Sequence, residues 1–154
     1  MSRLPEEDWR NVLRWMPIPC IDVIVQRDAK VLIGFRDIIP YKNLWALPGG
    51  RILKNENPRD AVKRNLREIG VSAAIEGLVG VFSVRFPMHP QRRHDLTLCY
   101  RARWKSGIPK ATSELTRFRW ISARQIPADM GTNYKRMIRT AFNHSRPANL
   151  SRLA

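Results

Sequence analysis

The residues best suited to chemistry lie together between positions 47 and 71. Gly49 and Gly50 provide two consecutive positions without side chains, so the backbone there can approach a ligand closely. Arg51 follows at once, and Glu56 comes five residues later. A glycine loop beside guanidinium groups and a carboxylate suits a diphosphate bound through a metal ion.

A short helix with defined ends is predicted immediately after this loop. Asn57 is a suitable N-cap, and Pro58 suits the first helical position because its missing N–H needs no partner there. Gly70 ends the helix, since glycine readily adopts the left-handed conformation. Local backbone chemistry therefore predicts both ends of the helix.

The predicted helix has one apolar face and one charged face. The apolar face consists of Val62, Leu66 and Ile69, and the charged face consists of Asp60, Arg64 and Glu68. On an arbitrary helix such a charged face is typical of solvated i, i+4 ion pairs. The glycine loop directly before it favours the alternative, in which this face contributes to a ligand site.

The stretch resembles the Nudix box, G-x5-E-x7-R-E-U-x-E-E-x-G-U, in which U is an aliphatic residue. The positions that match at the family's spacing are Gly50, Glu56, Arg64 and Leu66. Asn65 stands where the family has a glutamate. Glu68 matches either the first glutamate of the E-E pair or, with a gap before it, the second. Most Nudix enzymes have three glutamates in this helix, one at the position of Asn65 and two in the E-E pair. In both alignments this chain keeps only Glu68 of the three.

Composition bounds the class of protein. The 154 residues, 44% of them apolar, predict a single domain over 1–154 with a sizeable core. No apolar run approaches the roughly 20 residues of a membrane span, and the N-terminus lacks the apolar core of a signal peptide. We therefore expect a cytoplasmic protein with no membrane partner. The net charge of +15 attracts polyanions, which leaves nucleotides, nucleotide sugars and nucleic acids open.

Apolar periodicity predicts strands on both sides of the central helix. The predicted helices span 5–16, 57–69 and 132–142, with a short one at 122–125, and a flexible tail follows over 143–154. The predicted strands span 18–26, 31–35, 78–86, 95–104 and 116–121, the first two forming a hairpin. Strands interrupted by one helix and closed by another predict a mixed sheet between helices.

Two strands contain features that bear on function. Asp22 interrupts the apolar strand 18–26, and a lone acid there is either an edge residue or a ligand contact, with composition favouring the edge. In strand 95–104 the residues alternate, so an apolar face (Leu96, Leu98, Tyr100, Ala102, Trp104) is predicted opposite a polar one (Thr97, Cys99, Arg101, Arg103). Cys20 and Cys99 have no metal-ligand spacing, so we expect buried, reduced thiols.

The resemblance extends to most of the chain and is to the GDP-mannose mannosyl hydrolase subfamily. The similar segments are the N-terminal helix and residues 21–25, 32–36, 45–51, 118–120 and 133–136. Those enzymes cleave a sugar C–O bond, whereas most Nudix enzymes cleave a P–O–P link. The resemblance implies a Nudix α/β/α sandwich with a mixed β-sheet, a Mg²⁺ cofactor for which Mn²⁺ could substitute, and a homodimer.

Site residues follow from the same resemblance, position by position. It implies metal binding by Gly49, Glu68 and Glu114, and catalytic roles for Arg51, Arg64, Glu68 and Glu114. It implies substrate binding by Asp22, Arg36 and Arg51. The family's general-base histidine falls on Leu115, so His89, His94 or Glu114 would have to replace it.

These observations predict a Mg²⁺-dependent hydrolase of a nucleoside diphosphate linked to another group. A nucleotide sugar such as GDP-mannose is the favoured substrate class. Two alternatives stay open. One is a Nudix-fold protein that binds a nucleotide or RNA after losing catalytic acids, and the other is a pyrophosphatase that cleaves the P–O–P link.

Overall fold

A computed structural model of the protein describes residues 4–143. In chain order, its elements are α1 (Glu6–Trp15), β1 (Ile18–Arg27), β2 (Lys30–Arg36), β3 (Trp45–Ala46), β4 (Gly49–Arg51), α2 (Pro58–Glu68), β5 (Ser72–Arg85), β6 (His94–Ser106), β7 (Leu115–Ser122) and α3 (Thr132–Asn143). Residues 144–154, which include most of the predicted tail, lie outside the described residues. Within 4–143, no helix has the length and apolar character needed to cross a membrane.

All the strands belong to one mixed sheet of seven strands. β1 lies at its centre, parallel to β6 and antiparallel to β2 and β4. The main order is β3-β2-β1-β6-β5, and β7 extends the sheet from β2. The predicted mixed sheet and the predicted hairpin of β1 and β2 are confirmed.

Two apolar clusters cover the two faces of this sheet. Alternate residues of β1 enter different clusters, because successive side chains of a strand point to opposite faces. Ile24 packs with Met137 and Ile138 of α3, whereas Ile21 and Val23 pack with α2. The sheet therefore lies between α2 and α3, which is the predicted α/β/α arrangement.

Asp22 lies in the interior of the sheet, so the preference for an edge position was wrong. It pairs with Gly49 of β4 on one side and with Cys99 of β6 on the other. Composition alone gives no information on which strands flank β1, and that pairing is a long-range property of the fold. The alternative interpretation, a ligand contact, stays a prediction.

The residues of β6 divide between two faces as predicted, but over the first half of the strand it is the polar face that is buried. Asp95, Thr97 and Cys99 are buried there, whereas Leu96 is 40% exposed. Leu96 lies outside the apolar cluster beneath α2, and the polar side chains of Asp95 and Thr97 line a cavity on the other face. In this half of the strand, the buried side chains are those that face the cavity, whatever their hydrophobicity.

Two further boundaries differ from prediction. β5 begins at Ser72 instead of residue 78, because its first half pairs with the end of β6 despite residues of weak strand preference. Residues 122–125 form a turn and not a helix, with the Gln125 N–H donating to the Ser122 carbonyl at 2.9 Å. Pro127 lies close behind and disfavours helical geometry in the residue before it.

Candidate functional site

The two glycines of β4 are required by close packing on opposite sides of the strand. A Cβ atom at Gly49 would overlap the Ile21 carbonyl oxygen and the carboxylate of Asp22. A Cβ atom at Gly50 would overlap the side-chain oxygen of Asn65 on α2. The glycines therefore allow β4 to pass between one polar side chain of β1 and one of α2.

The register between β1 and β4 also sets the direction of the Gly49 carbonyl. The Val23 N–H donates to the Pro48 carbonyl at 2.8 Å, and the residues of the two strands alternate between hydrogen-bonded and non-bonded pairs. Gly49 falls in a non-bonded pair, so its carbonyl points away from β1. Arg51, two residues on, has the same orientation, and its carbonyl accepts a hydrogen bond from Arg64 of α2 at 2.8 Å.

α2 begins and ends as predicted. The Asn57 side chain accepts a hydrogen bond from the Arg59 N–H at 2.9 Å, and Pro58 is the first helical residue. Gly70 has a φ of 75°, in the left-handed region. These ends fix the orientation of Arg64, Asn65 and Glu68 relative to the glycine loop.

Arg64 of α2 connects the helix to the preceding loop through hydrogen bonds. Its Nε and Nη2 atoms donate to the two carboxylate oxygens of Glu56 at 2.7 and 3.0 Å. Its Nη1 atom donates to Glu68 at 3.2 Å. The hydrogen bonds from Arg64 lower the pKa of Glu56. Asp60, predicted on the same face, pairs instead with Lys63 at 3.4 Å.

A cavity of about 180 Å³ lies between β4, α2 and the segment before β7. We call it the α2 cavity. Five predicted site residues line it, namely Gly49, Arg51, Arg64, Glu68 and Glu114. The backbone of Glu114 is held on both sides, because its N–H donates to Thr112 at 3.2 Å and its carbonyl accepts from the Asp37 N–H at 3.0 Å.

The oxygen donors of the α2 cavity suit a hard divalent cation. They are the carboxylates of Glu68 and Glu114, the side-chain oxygen of Asn65 and the outward-pointing carbonyl of Gly49. Asn65 donates its amide N–H to the Ala61 carbonyl at 2.8 Å, so its oxygen faces Gly50. The described residues contain no group of three or more His, Cys, Asp or Glu side chains arranged for a metal. A Mg²⁺ ion in the α2 cavity would therefore need neutral oxygens and water in addition to the two carboxylates.

A second cavity, of about 100 Å³, opens on the α3 face of the sheet. We call it the α3 cavity. It shares Gly49, Gly50, Arg51, Glu114 and Leu115 with the α2 cavity, so the two meet at β4. The predicted substrate residues Asp22 and Arg36 line it, together with Tyr134 of α3.

Asp22 is the most perturbed acid of the site. Burial raises its pKa well above the usual value, Arg36 partly offsets this effect, and Asp95 adds to it. Arg36 is held in place because its Nε atom donates to the Pro40 carbonyl at 2.7 Å. Burial also raises the pKa of Tyr134. The α3 cavity therefore has polar groups that ionise less readily than in water.

Sequence reasoning missed the ion pair at the far wall of the α3 cavity. Arg93 donates through Nε and Nη2 to the two oxygens of Asp95, at 2.6 and 3.0 Å. Both side chains are largely buried, with 17% and 10% of their surfaces exposed. An acid at the start of an apolar strand is the available signal, as it is for Asp22, but the alternation of β6 does not show that its polar face is the buried one.

No histidine lines either cavity in the described part of the chain. His94 is hydrogen-bonded to Ser83 at 2.9 Å, and His89 accepts from the Gln91 N–H at 3.2 Å within its own loop. Leu115, at the family's histidine position, is buried. Of the candidates for the general base, Glu114 is the one that lies at the junction of the cavities.

Comparison with known proteins now identifies the fold and the box. Residues 16–141 match the model of the NUDIX domain. This protein belongs to the NUDIX family. Its glycine loop and α2 are accordingly the NUDIX box, with Asn65 at one of the positions where the family has glutamate.

Curated relatives of this NUDIX protein have several different names. The low-salt glycan biosynthesis protein Agl8 of Haloferax volcanii is 34% identical over 82 residues, which are 53% of each chain. An ADP-ribose pyrophosphatase of Methanocaldococcus jannaschii is 28% identical over 112 residues, 72% of this chain and 65% of the relative. The chain thus spans about half and about two thirds of the lengths of these two relatives. A putative 8-oxo-dGTP diphosphatase of Bacillus subtilis is 25% identical, with 84% and 82% covered.

Solved NUDIX structures have the same fold at low sequence identity. A MutT NUDIX hydrolase from Burkholderia pseudomallei superimposes with a TM-score of 0.71 at 22% identity, covering 81% of this chain and 98% of that one. A NUDIX hydrolase from Nitrosomonas europaea gives a TM-score of 0.74 at 19% identity, covering 84% and 91%. These similarities establish the fold of the NUDIX protein. Its substrate has to be inferred from the chemistry of the two cavities.

Proposed function

We propose that this NUDIX protein is a Mg²⁺-dependent hydrolase of a nucleoside diphosphate joined to a second group. A nucleotide sugar such as GDP-mannose is the favoured substrate. The observation that carries the proposal is the meeting of two cavities of different chemistry at β4. One offers oxygen donors for a cation, and the other offers mixed acids and arginines.

The α2 cavity would hold the cation and the diphosphate. Gly49, Glu68 and Glu114 would bind Mg²⁺, for which Mn²⁺ could substitute, and the ion would neutralise charge on the diphosphate. Arg51 would donate to the phosphate oxygens on which negative charge builds as the bond breaks. Arg64 would keep Glu68 in place through the 3.2 Å hydrogen bond between them.

The α3 cavity suits a neutral polar ring better than a phosphate. Its walls contain two acids, Asp22 and Asp95, as well as two arginines, Arg36 and Arg93. Carboxyl groups beside arginines provide acceptors and donors side by side, which match the hydroxyl groups of a sugar or the edge of a base better than the oxygens of a phosphate. Burial raises the pKa of Asp22, and the carboxyl in its protonated form would donate as well as accept a hydrogen bond.

Glu114 is the candidate general base, because it lies where the two cavities meet and can accept a proton from water. Its position does not select the scissile bond. Water activated there could attack the sugar carbon, as in the mannosyl hydrolases that the chain resembles, or a phosphorus atom of the diphosphate. The names of the relatives from Haloferax and Methanocaldococcus fit a substrate that is a sugar linked to a nucleotide.

Product identification tests the proposal directly. The protein is incubated with nucleotide sugars and with nucleoside di- and triphosphates in Mg²⁺, and Glu68→Gln is the comparison variant. Free sugar with a nucleoside diphosphate would establish C–O cleavage, and sugar phosphate with a nucleoside monophosphate would establish P–O–P cleavage. Absence of every product, or full metal-dependent turnover by Glu68→Gln, would contradict the proposal.

A second candidate is a NUDIX-fold protein that binds a nucleotide or RNA without turnover. The observation that favours it is Asn65, a buried neutral amide at a glutamate position of the box. The net charge of +15 adds affinity for polyanions. Steeply salt-dependent RNA binding in the absence of any hydrolysis product would favour this candidate over the enzyme.

A further inference from the structure

Arg51 lies at the junction of three cavities. It lines the α2 cavity, the α3 cavity and a third, of about 280 Å³, whose other lining residues are Leu4, Glu6 and Trp9. Its guanidinium carbon lies 4.5 Å from the centroid of the Trp9 ring. We propose that Trp9 is a positioning residue, whose indole holds the Arg51 guanidinium at the shared edge of the α2 and α3 cavities.

The indole is itself fixed, because Trp9 belongs to the docked face of α1. Leu13, one helical turn further on, is buried against Ile18 and Cys20 of β1. Residues four apart lie on the same side of a helix, and Trp9 and Val12 are half-buried in the same cluster. The ring therefore presents a face of defined orientation to Arg51.

Stacking leaves the donors of Arg51 available for a ligand. Within residues 4–143, no side-chain hydrogen bond or ion pair involves the Arg51 guanidinium, whose carbon lies over the Trp9 ring. The face of the indole attracts the cation without accepting a conventional hydrogen bond from it, so the N–H groups remain available to a ligand. Arg64 differs, because its Nε, Nη1 and Nη2 atoms already donate to protein oxygens. An arginine held by stacking is restrained and still able to bind phosphate.

The role of Trp9 rests on the proposed function, since Arg51 is expected to bind the diphosphate. Loss of one stacking contact at a partly exposed site should reduce kcat/KM about fivefold. Because charge on the leaving diphosphate grows in the transition state, we expect the decrease mainly in kcat and less in KM. Trp9→Phe keeps an aromatic face and should restore most of the loss.

α1 itself provides matched control variants. Trp15 is the other tryptophan of the helix, is 72% exposed, and stacks with Arg14 at 4.9 Å. Trp15→Leu removes the same side chain from the outer face and should leave kcat/KM unchanged. Val12→Ala weakens the docking of α1 without removing the stack on Arg51, so it reports on a purely structural effect.

The deciding experiment measures Trp9→Leu alone and in an Arg51→Ala background, on the substrate that gives the fastest turnover. We expect Trp9→Leu to reduce kcat about fivefold in the wild-type protein and to have no further effect once Arg51 is absent. An equal decrease in both backgrounds, or the same decrease in Val12→Ala, would overturn the inference.

Two measurements separate this inference from the proposed function. The side-chain NMR signals of Arg51 should show the ring-current shift of the indole and lose it in Trp9→Leu. Affinity for inorganic pyrophosphate in Mg²⁺ should fall about fivefold in Trp9→Leu and stay constant in Trp15→Leu. If the wild-type protein hydrolyses no nucleotide, the proposed function fails, and these two results decide the role of Trp9. Absence of the ring-current shift or unchanged pyrophosphate affinity would refute it.

Discussion

The α2 and α3 cavities share the backbone of β4 but differ in the solvent exposure of their acidic side chains. On the α2 side the acids are accessible, and Glu68 is 57% exposed while it pairs with Arg64. On the α3 side Asp22 is buried, and its pKa is raised. Accessible carboxylates can bind a cation, whereas burial favours the neutral form of a carboxyl, which can also donate a hydrogen bond to hydroxyl groups.

The difference between the cavities follows from the alternation of β4. Successive residues of a strand face opposite sides, so Gly49 approaches Asp22 and Gly50 approaches Asn65. A diphosphate that lies across β4 would therefore reach both environments at once. The following changes test each side of this arrangement.

The largest effect is expected for Gly49→Ala. The new methyl group would overlap the Ile21 carbonyl oxygen, and backbone atoms cannot move aside as a side chain can. We expect a loss of about 3 kcal/mol in the free energy of unfolding, measured by urea denaturation. Gly50→Ala meets only the Asn65 side chain, so its loss should be smaller, and Asn65→Ala should restore it. Equal losses for the two glycines would contradict the two-sided packing of β4.

The next effect concerns the cation side. Glu68→Gln removes a charge from the α2 cavity and should reduce kcat about 100-fold, with a higher Mg²⁺ concentration needed for half-maximal rate. Glu76→Gln is a matched control, because Glu76 is an exposed acid paired with Arg103 at 3.3 Å outside both cavities. Unchanged Mg²⁺ dependence in Glu68→Gln would exclude Glu68 as a metal ligand.

A smaller loss is expected for Glu56→Gln, which removes the bidentate partner of Arg64. We expect about 2 kcal/mol less unfolding free energy, because charge-assisted hydrogen bonds to a partly buried acid are lost. The pKa of Glu56 is lowered in the fold, so its contribution is present above its ordinary pKa of about 4.3 and is lost as the pH falls through the folded value. Denaturation from pH 3 to pH 7 should show this acid-side dependence weakened in the variant. An unchanged pH profile would contradict the pairing.

An effect of opposite sign is expected for Asp22→Asn. The pKa of Asp22 is raised in the fold, so its stabilisation is present below its ordinary pKa of about 3.9 and is lost as the pH rises through the folded value. The amide stays neutral, so the stability of the variant relative to wild type should increase with pH over that interval. Asp60→Asn, at an exposed acid of α2, is the control. A difference that does not change with pH would show that Asp22 ionises freely.

Local patterns were sufficient for α2 and for much of the box. Asn57, Pro58 and Gly70 act within one or two turns of the chain, and the apolar face of Val62 and Leu66 packs as the period predicts. Five of the seven predicted site residues line the α2 cavity because they are close in sequence to the glycine loop or match the family at fixed spacing. Their roles in metal binding and catalysis stay predictions.

Long-range pairing decided the features that sequence reasoning missed. The central position of Asp22 depends on β4 and β6 adding to opposite sides of β1. The buried pair of Arg93 and Asp95 depends on β6 turning its polar residues toward a cavity. Hydrophobicity patterns assume that the covered face is apolar, and that assumption fails where a strand borders a polar cavity.

The sequence by itself determined the glycine loop, the ends of α2 and the mixed sheet between helices, because these depend on backbone propensities and on periodicity within one element. The tertiary structure alone decided that Arg51 stacks on Trp9 and that Asp22 shares a cavity with Arg93 and Asp95. Those contacts join segments about 40 to 70 residues apart, and their formation depends on which strands pair and which helix covers them. The charges along the chain were visible from the start, but only the fold placed some of them in water and others in its interior.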